Sequence, residues 1–217
     1  MIRYIFIKQI PLYAIFMALT GCQGFNPVTD TASYFWGDKK TRANLSPGFE
    51  YLEVEWQGVK AYMALGYRET QGPNVSEHWY SGQGEMMKLV NGRVVEVFGM
   101  THEVRNVTTN PPVWSNALTH RLPIVWYQTK DLMPRYRYGL QEFVKTQQIT
   151  PNPSEKALAS DATAWLLEEV RSKDEKGKPW VYQQKFALVG DRVVYSEQCV
   201  AQEMCFKLKP LGVAVSK

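Results

Sequence analysis

From near Phe49 onward, apolar and polar residues alternate, interrupted by turn residues, and this pattern limits the folds open to the chain. In Tyr51-Leu52-Glu53-Val54-Glu55-Trp56, an extended backbone puts Leu52, Val54 and Trp56 on one face and Glu53 and Glu55 on the other. Wound as a helix, the same residues would scatter their apolar side chains around the axis, so period two reads as a half-buried strand. Gln57-Gly58 turns the chain into a strand from Val59 to Leu65. The clearest hairpin joins Glu85 to Val90 with Arg93 to Phe98 through Asn91-Gly92, a pair that tolerates the two positive-φ positions of a type I′ turn. Further strands are predicted at Val104 to Thr108, Ile124 to Thr129, Tyr136 to Gln148, Thr163 to Arg171, Trp180 to Val189 and Arg192 to Gln198.

Local propensity disagrees with this pattern once. Lys156 to Lys173 contains Ala157, Leu158, Ala159, Leu166, Leu167, Glu168 and Glu169, all good helix formers. The turn-like Asp174-Glu175-Lys176-Gly177-Lys178 and the aromatic strand after it favour a β-meander, and both alternatives stand at this level. Asn152-Pro153 marks a candidate seam near residues 151–153. The expectation is a mainly β chain whose antiparallel strands and hairpins form a barrel-like or sandwich-like core. A short N-terminal helix is expected at Asp30 to Gly37, with Tyr34, Phe35 and Trp36 at its apolar end.

The first 21 residues do not belong to that core. Arg3 and Lys8, with no acidic residue, precede an apolar run from Ile10 to Leu19 that ends in small residues and is too short to span a bilayer. This is the layout of a signal peptide, and Leu19-Thr20-Gly21-Cys22 looks like a bacterial lipobox, in which Cys22 receives the lipid and becomes the mature N-terminus. Each buried acyl methylene contributes about 0.8 kcal/mol, so two or more chains anchor stably where one is marginal. Residues 22–29, with Gly24, Asn26 and Pro27, then form a tether, and residues 30–217 the periplasmic domain. Gln23 stands where an aspartate usually retains such proteins in the inner membrane, so the outer membrane, on its periplasmic side, is the expected address.

Of 217 residues, 25 are Lys or Arg and 21 are Asp or Glu, a net charge of +4 that is too small to indicate nucleic acid. With 45% hydrophobic residues and three cysteines, the chain can fill a core and is no disulfide-dense miniprotein. If Cys22 carries lipid, Cys199 and Cys205 remain. An oxidising compartment makes a bridge between them the default, contributing about 2 kcal/mol for so small a loop, with a pair of free thiols as the alternative. Neither a CxxC nor a neighbouring histidine supports a metal there, and no cofactor is indicated.

The order of motifs resembles a known family. A lipobox and short aromatic segment lead to Ala61-Tyr62-Met63-Ala64-Leu65-Gly66-Tyr67, then Trp79, then Leu89-Val90-Asn91-Gly92-Arg93-Val94-Val95 and Gly99. The chain ends with a Trp180 strand and Phe206-Lys207-Leu208-Lys209-Pro210. From about Tyr34 to Leu211 this is similar to the YjbF/GfcB (YmcC-type) lipoproteins of group 4 capsule and exopolysaccharide operons. The resemblance implies a mainly β fold and a place in making, exporting or assembling surface polysaccharide. It brings no catalytic residues, and the Cys199/Cys205 pair is not expected as a family feature.

Catalytic patterns are scarce. His78, His102 and His120 match no metal spacing, there is no GxSxG or HExxH, and Gly82-Gln83-Gly84 lacks a phosphate-cradling context. Glu53/Glu55 and Glu168/Glu169 are too close in sequence to certify two carboxylates facing across a cleft. Aromatic side chains, 13% of the chain, are the better lead, since Tyr and Trp offer flat apolar faces with polar edges. Candidate glycan contacts are Trp79, Tyr80, Trp114, Trp126, Tyr127, Tyr136 and Tyr138, with Arg135 and Arg137 beside the last two. Neighbours on a strand point to opposite faces, so one ring each of Trp79-Tyr80 and Trp126-Tyr127 must leave the core unless both faces are covered. The expected function is a noncatalytic lipoprotein accessory in capsule or exopolysaccharide production or export, binding polysaccharide or export proteins. A periplasmic polysaccharide-modifying enzyme using a carboxylate or His78 is the alternative.

Overall fold

In the computed structural model, which describes residues 45–108, 111–119, 123–134, 136–174, 176–202 and 204–213, the alternating segments pair as an antiparallel meander. Its strands are β1 (Glu50–Trp56), β2 (Val59–Gln71), β3 (Asn74–Tyr80), β4 (Met86–Val90), β5 (Arg93–Phe98) and β6 (Glu103–Thr108), followed by β7 (Ile124–Met133), β8 (Arg137–Ile149), β9 (Ala164–Lys173), β10 (Pro179–Val189), β11 (Arg192–Ala201) and β12 (Met204–Val213). Each strand pairs with its neighbours in sequence, and β12 pairs back onto β1, from Glu50↔Val213 to Trp56↔Phe206. Full closure leaves no edge for another chain to extend. The core is therefore a closed barrel, which resolves the choice between barrel and sandwich.

The predicted strands are present, β5 residue for residue, most others with small changes at their ends, while β2 continues past Leu65 to Gln71 and β7 past Thr129 to Met133. β3 and β12 lie outside the predicted strands. Between Lys156 and Lys173 the strand prevails from Ala164 onward, because pairing with β8 and β10 satisfies its backbone on both sides. Helix formation is confined to α2 (Pro153–Leu158). Asn152 starts that helix with a capping box: its side chain accepts from the Glu155 amide at 2.9 Å, and the Glu155 carboxylate accepts from the Asn152 amide at 2.8 Å. Residues 151–153 thus fall within the β8–β9 connection. The other helix, α1 (Trp114–Thr119), lies between β6 and β7 and was not predicted. The signal peptide, Cys22, the tether and the expected helix at Asp30 to Gly37 lie outside the described residues.

Alternation separates the two faces of the wall. Leu52, Val54, Met63, Trp79, Met87, Val97, Phe206 and Leu208 pack in the main apolar cluster, while partnered charges stand outside. The Lys60 ammonium lies 2.7 Å from Glu53, that of Lys207 lies 2.7 Å from Glu55, and Arg68 bridges Glu50 and Glu77 at 2.9 Å each. On these strands the outer face carries partnered charges in place of the apolar band of a lipid-spanning barrel. The interior is pinched where β5 meets β11: the Gln198 side chain accepts from the Val94 amide and donates to the Gly92 carbonyl, each at 2.8 Å. Cys199 and Cys205, directly opposed on β11 and β12, form a disulfide.

Candidate functional site

The interior beside this pinch is polar. Both Nε and Nη2 of Arg93 donate to Glu168 Oε1, at 3.0 and 2.7 Å, while Nη1 donates to the Pro112 carbonyl at 3.2 Å. Trp114 of α1 covers the guanidinium, 3.4 Å from ring centroid to charge centre, and packs with Leu166, Phe186, Leu188 and Val193 to seal that end from within. Thr146 donates to the same Glu168 oxygen and accepts from Trp126 Nε1, each at 3.1 Å. A second cluster surrounds Glu142. The Lys130 ammonium lies 2.8 Å away, Gln128 donates at 2.6 Å, and the Tyr182 hydroxyl donates to both carboxylate oxygens at 3.2 Å.

Burial pushes Arg93 and Lys130 down from their ordinary values, and the partner carboxylates oppose it. Burial first, then Glu142, pushes the Tyr182 hydroxyl well up, which keeps it a proton donor. The space left among Arg93, Glu168, Trp126, Lys130 and Gln198 is about 20 Å³, room for about one water molecule. Both carboxylates are thus held by cations and donors, Glu168 through Oε1 alone. Its Oε2 has no hydrogen-bond partner among the described residues, and the space beside the two carboxylates is too small for a sugar ring. Chemically this is a lock across the barrel.

The candidate aromatic contacts are sorted by the alternation argument. Trp79 and Trp114 are each 1% exposed, so neither offers a ring face to a ligand; the first fills the apolar interior and the second the sealed end. Trp114 follows Pro111-Pro112, which reads locally as surface loop, but α1 turns its first residue inward. Trp126 faces the polar interior, whereas Tyr80 and Tyr127, its counterparts one residue after a buried tryptophan, are exposed outside. Tyr127 meets Phe143 edge-on across the β7–β8 ladder, with ring centroids 5.4 Å apart. Tyr136 and Tyr138 are exposed at the β7–β8 turn, centroids 6.4 Å apart.

That turn borders a solvent-facing hollow of about 60 Å³ at the end of the barrel opposite α1. Leu132 and Leu140 line it with Arg137, Lys173, Asp174 and Trp180. Arg137 is steadied by donation from Nη2 to the Lys173 carbonyl at 2.9 Å. Trp180 stacks on Tyr182, centroids 4.3 Å apart and planes 24° apart, so the interior lock supports the ring in the hollow. Sequence reasoning placed Arg137 beside the candidate rings but missed Trp180 and Lys173. A tryptophan opening a strand directly after a lysine-rich turn was the available signal. It also missed the Arg93–Glu168 pair, although Leu166, Glu168 and Val170 share one parity and so put a charge among inward residues.

The histidines are dispersed. His78 is buried on the outer wall beneath Tyr67, ring centroids 4.0 Å apart, and its Nε2 has no hydrogen-bond partner among the described residues. His102 lines the hollow, and His120 lies outside the described residues. Among the described residues, no three His, Cys, Asp or Glu side chains come together as a metal site.

These features describe a closed, up-and-down β-barrel with a locked interior and an aromatic-lined hollow at the end opposite α1. The chain belongs to the family described as group 4 capsule polysaccharide lipoprotein gfcB, YjbF, which it matches over residues 48–206. Among solved structures it is similar to the crystal structure of the hypothetical lipoprotein YmcC from Escherichia coli (K12). The TM-score is 0.63 at 14% identity, covering 88% of this chain and 100% of that one. No curated protein matches.

Proposed function

We propose that this chain is an outer-membrane lipoprotein, anchored on the periplasmic side through lipid on Cys22, that serves capsule or exopolysaccharide production or export without catalysing a reaction. It holds glycan or a protein of the export machinery. Membership of the capsule polysaccharide lipoprotein family is the observation that carries this reading. The geometry supports a holding role over a chemical one, since Glu142 and one oxygen of Glu168 are held by buried cations and the exposed rings lie outside the barrel interior.

The test is deletion of the gene, followed by complementation with the wild-type chain and with Cys22→Ser. Surface polysaccharide is expected to fall on deletion, to return with the wild type, and to remain low with Cys22→Ser, which stays unlipidated. Polysaccharide unchanged in amount, length and attachment after deletion overturns the proposal. Purified glycan incubated with the protein is expected to keep its length and substituents; a changed product would favour the enzyme alternative.

A further inference from the structure

We propose that the hollow between the β7–β8 and β9–β10 turns binds a negatively charged sugar residue, its carboxylate against Arg137 and Lys173 and its ring against Trp180. This rests on the glycan-holding reading above and names the class of glycan.

Charge is the first support. Arg137 and Lys173 line the hollow, and Lys176 and Lys178 stand exposed on the adjoining turn. Among the described residues no salt bridge engages any of these four cations. Asp174, the acidic residue lining the hollow, is turned to another task. Its Oδ1 accepts from the Lys176 and Lys178 amides, each at 2.8 Å, and so holds the β9–β10 turn in shape. Asp174 keeps its charge and Glu175 follows it in sequence, but against Arg137, Lys173, Lys176 and Lys178 the cations here outnumber the acids four to two, and a planar guanidinium is suited to a carboxylate.

Shape and rigidity are the second. A volume of about 60 Å³ has room for a few waters, or for a carboxylate that displaces them, but not for a chain of sugars. The chain would instead run over the mouth, where Tyr136 and Tyr138 flank Arg137 in sequence and are exposed. Trp180 is held from behind by Tyr182, itself fixed by Glu142. A ring already ordered before binding loses little freedom when a sugar stacks on it.

The full chain, purified in detergent, is to be titrated calorimetrically with a trigalacturonate and, separately, with the uncharged galactose trisaccharide. The trigalacturonate is expected to bind, more weakly as salt is raised, and the neutral trisaccharide to bind at least tenfold more weakly. Lys173→Gln and Arg137→Gln are each expected to weaken trigalacturonate binding about tenfold or more, the worth of a charge-assisted hydrogen bond. Lys173 is exposed, so its variant tests the site even if Arg137→Gln disturbs the turn. Equal binding of the two trisaccharides, no binding of the charged one, or unchanged affinity in Lys173→Gln overturns the inference. A deletion strain that loses polysaccharide while these variants bind normally would sink the hollow and leave the broader function standing. Normal polysaccharide in the deletion strain, with binding lost in the variants, would do the reverse.

Discussion

Arg93 and Glu168, 75 residues apart in the chain, meet across the barrel interior with Nη2 2.7 Å from Oε1 and both side chains buried. The pair joins β5 to β9, strands that are not neighbours in the sheet, and Trp114 lies over it.

Breaking one side of this pair leaves a buried charge without compensation. Glu168→Gln is expected to destabilise the fold by about 3–5 kcal/mol, whereas Arg93→Met combined with Glu168→Leu recovers most of that loss. Denaturant unfolding of the two variants provides the comparison. A larger loss in the double variant would mean that the pair itself, and not the orphaned charge, carries the stability.

The two buried-or-exposed classes of aromatic residue should separate cleanly. Trp114→Ala empties the sealed end beneath α1 and is expected to destabilise by about 3–5 kcal/mol, while Tyr127→Ala stays within about 0.5 kcal/mol. Thermal melting of both decides whether α1 packs as described.

Gly92 has φ +79°, and a Cβ there would lie 2.5 Å from Val193 Cγ2. Gly92→Ala adds left-handed strain to a clash with a β-branched side chain on β11, so a loss of about 2 kcal/mol or more is expected. A stability equal to wild type would show that the β4–β5 turn does not press on β11.

The Cys199–Cys205 bridge closes a small loop at the β11–β12 turn. Replacing both residues with alanine is expected to reduce stability by about 2 kcal/mol, and reduction of the wild type to shift unfolding by a similar amount. Equal midpoints in oxidised and reduced protein would remove its stabilising role.

His78 gives the barrel a mild acid sensitivity. Burial first, then Lys88, lowers its pKa below the ordinary 6.5, against weaker opposition from Glu69 and Glu96. The unfolded chain then binds the proton more readily. Its contribution is full above about pH 6.5 and declines as the pH falls through that value toward the lower folded pKa. His78→Phe is expected to flatten stability between pH 7 and pH 5.5, followed by urea unfolding at each pH. An unchanged slope would place the sensitivity elsewhere.

Legibility from the sequence follows the range of each signal. The Asn91-Gly92 hairpin and the opposite fates of Trp79 and Tyr80, or Trp126 and Tyr127, depend on neighbours one or two positions away, and they were readable. Trp114 was misread because its burial depends on α1 folding back into the barrel. Trp180 was not singled out because only Arg137 and Lys173, brought together from two separate turns, make its surroundings a hollow.

Period-two strands, their inward and outward faces, and antiparallel pairing through short turns are encoded locally in the chain, since backbone geometry dictates them residue by residue. The sequence also carried the Cys22 pattern and the family resemblance. The return of β12 to β1, the charges that lock the interior, and the hollow between the β7–β8 and β9–β10 turns exist only once the chain has folded. Closure reflects strand twist accumulated over the whole sheet, and the lock depends on residues as distant as Arg93 and Glu168. No local pattern encodes either.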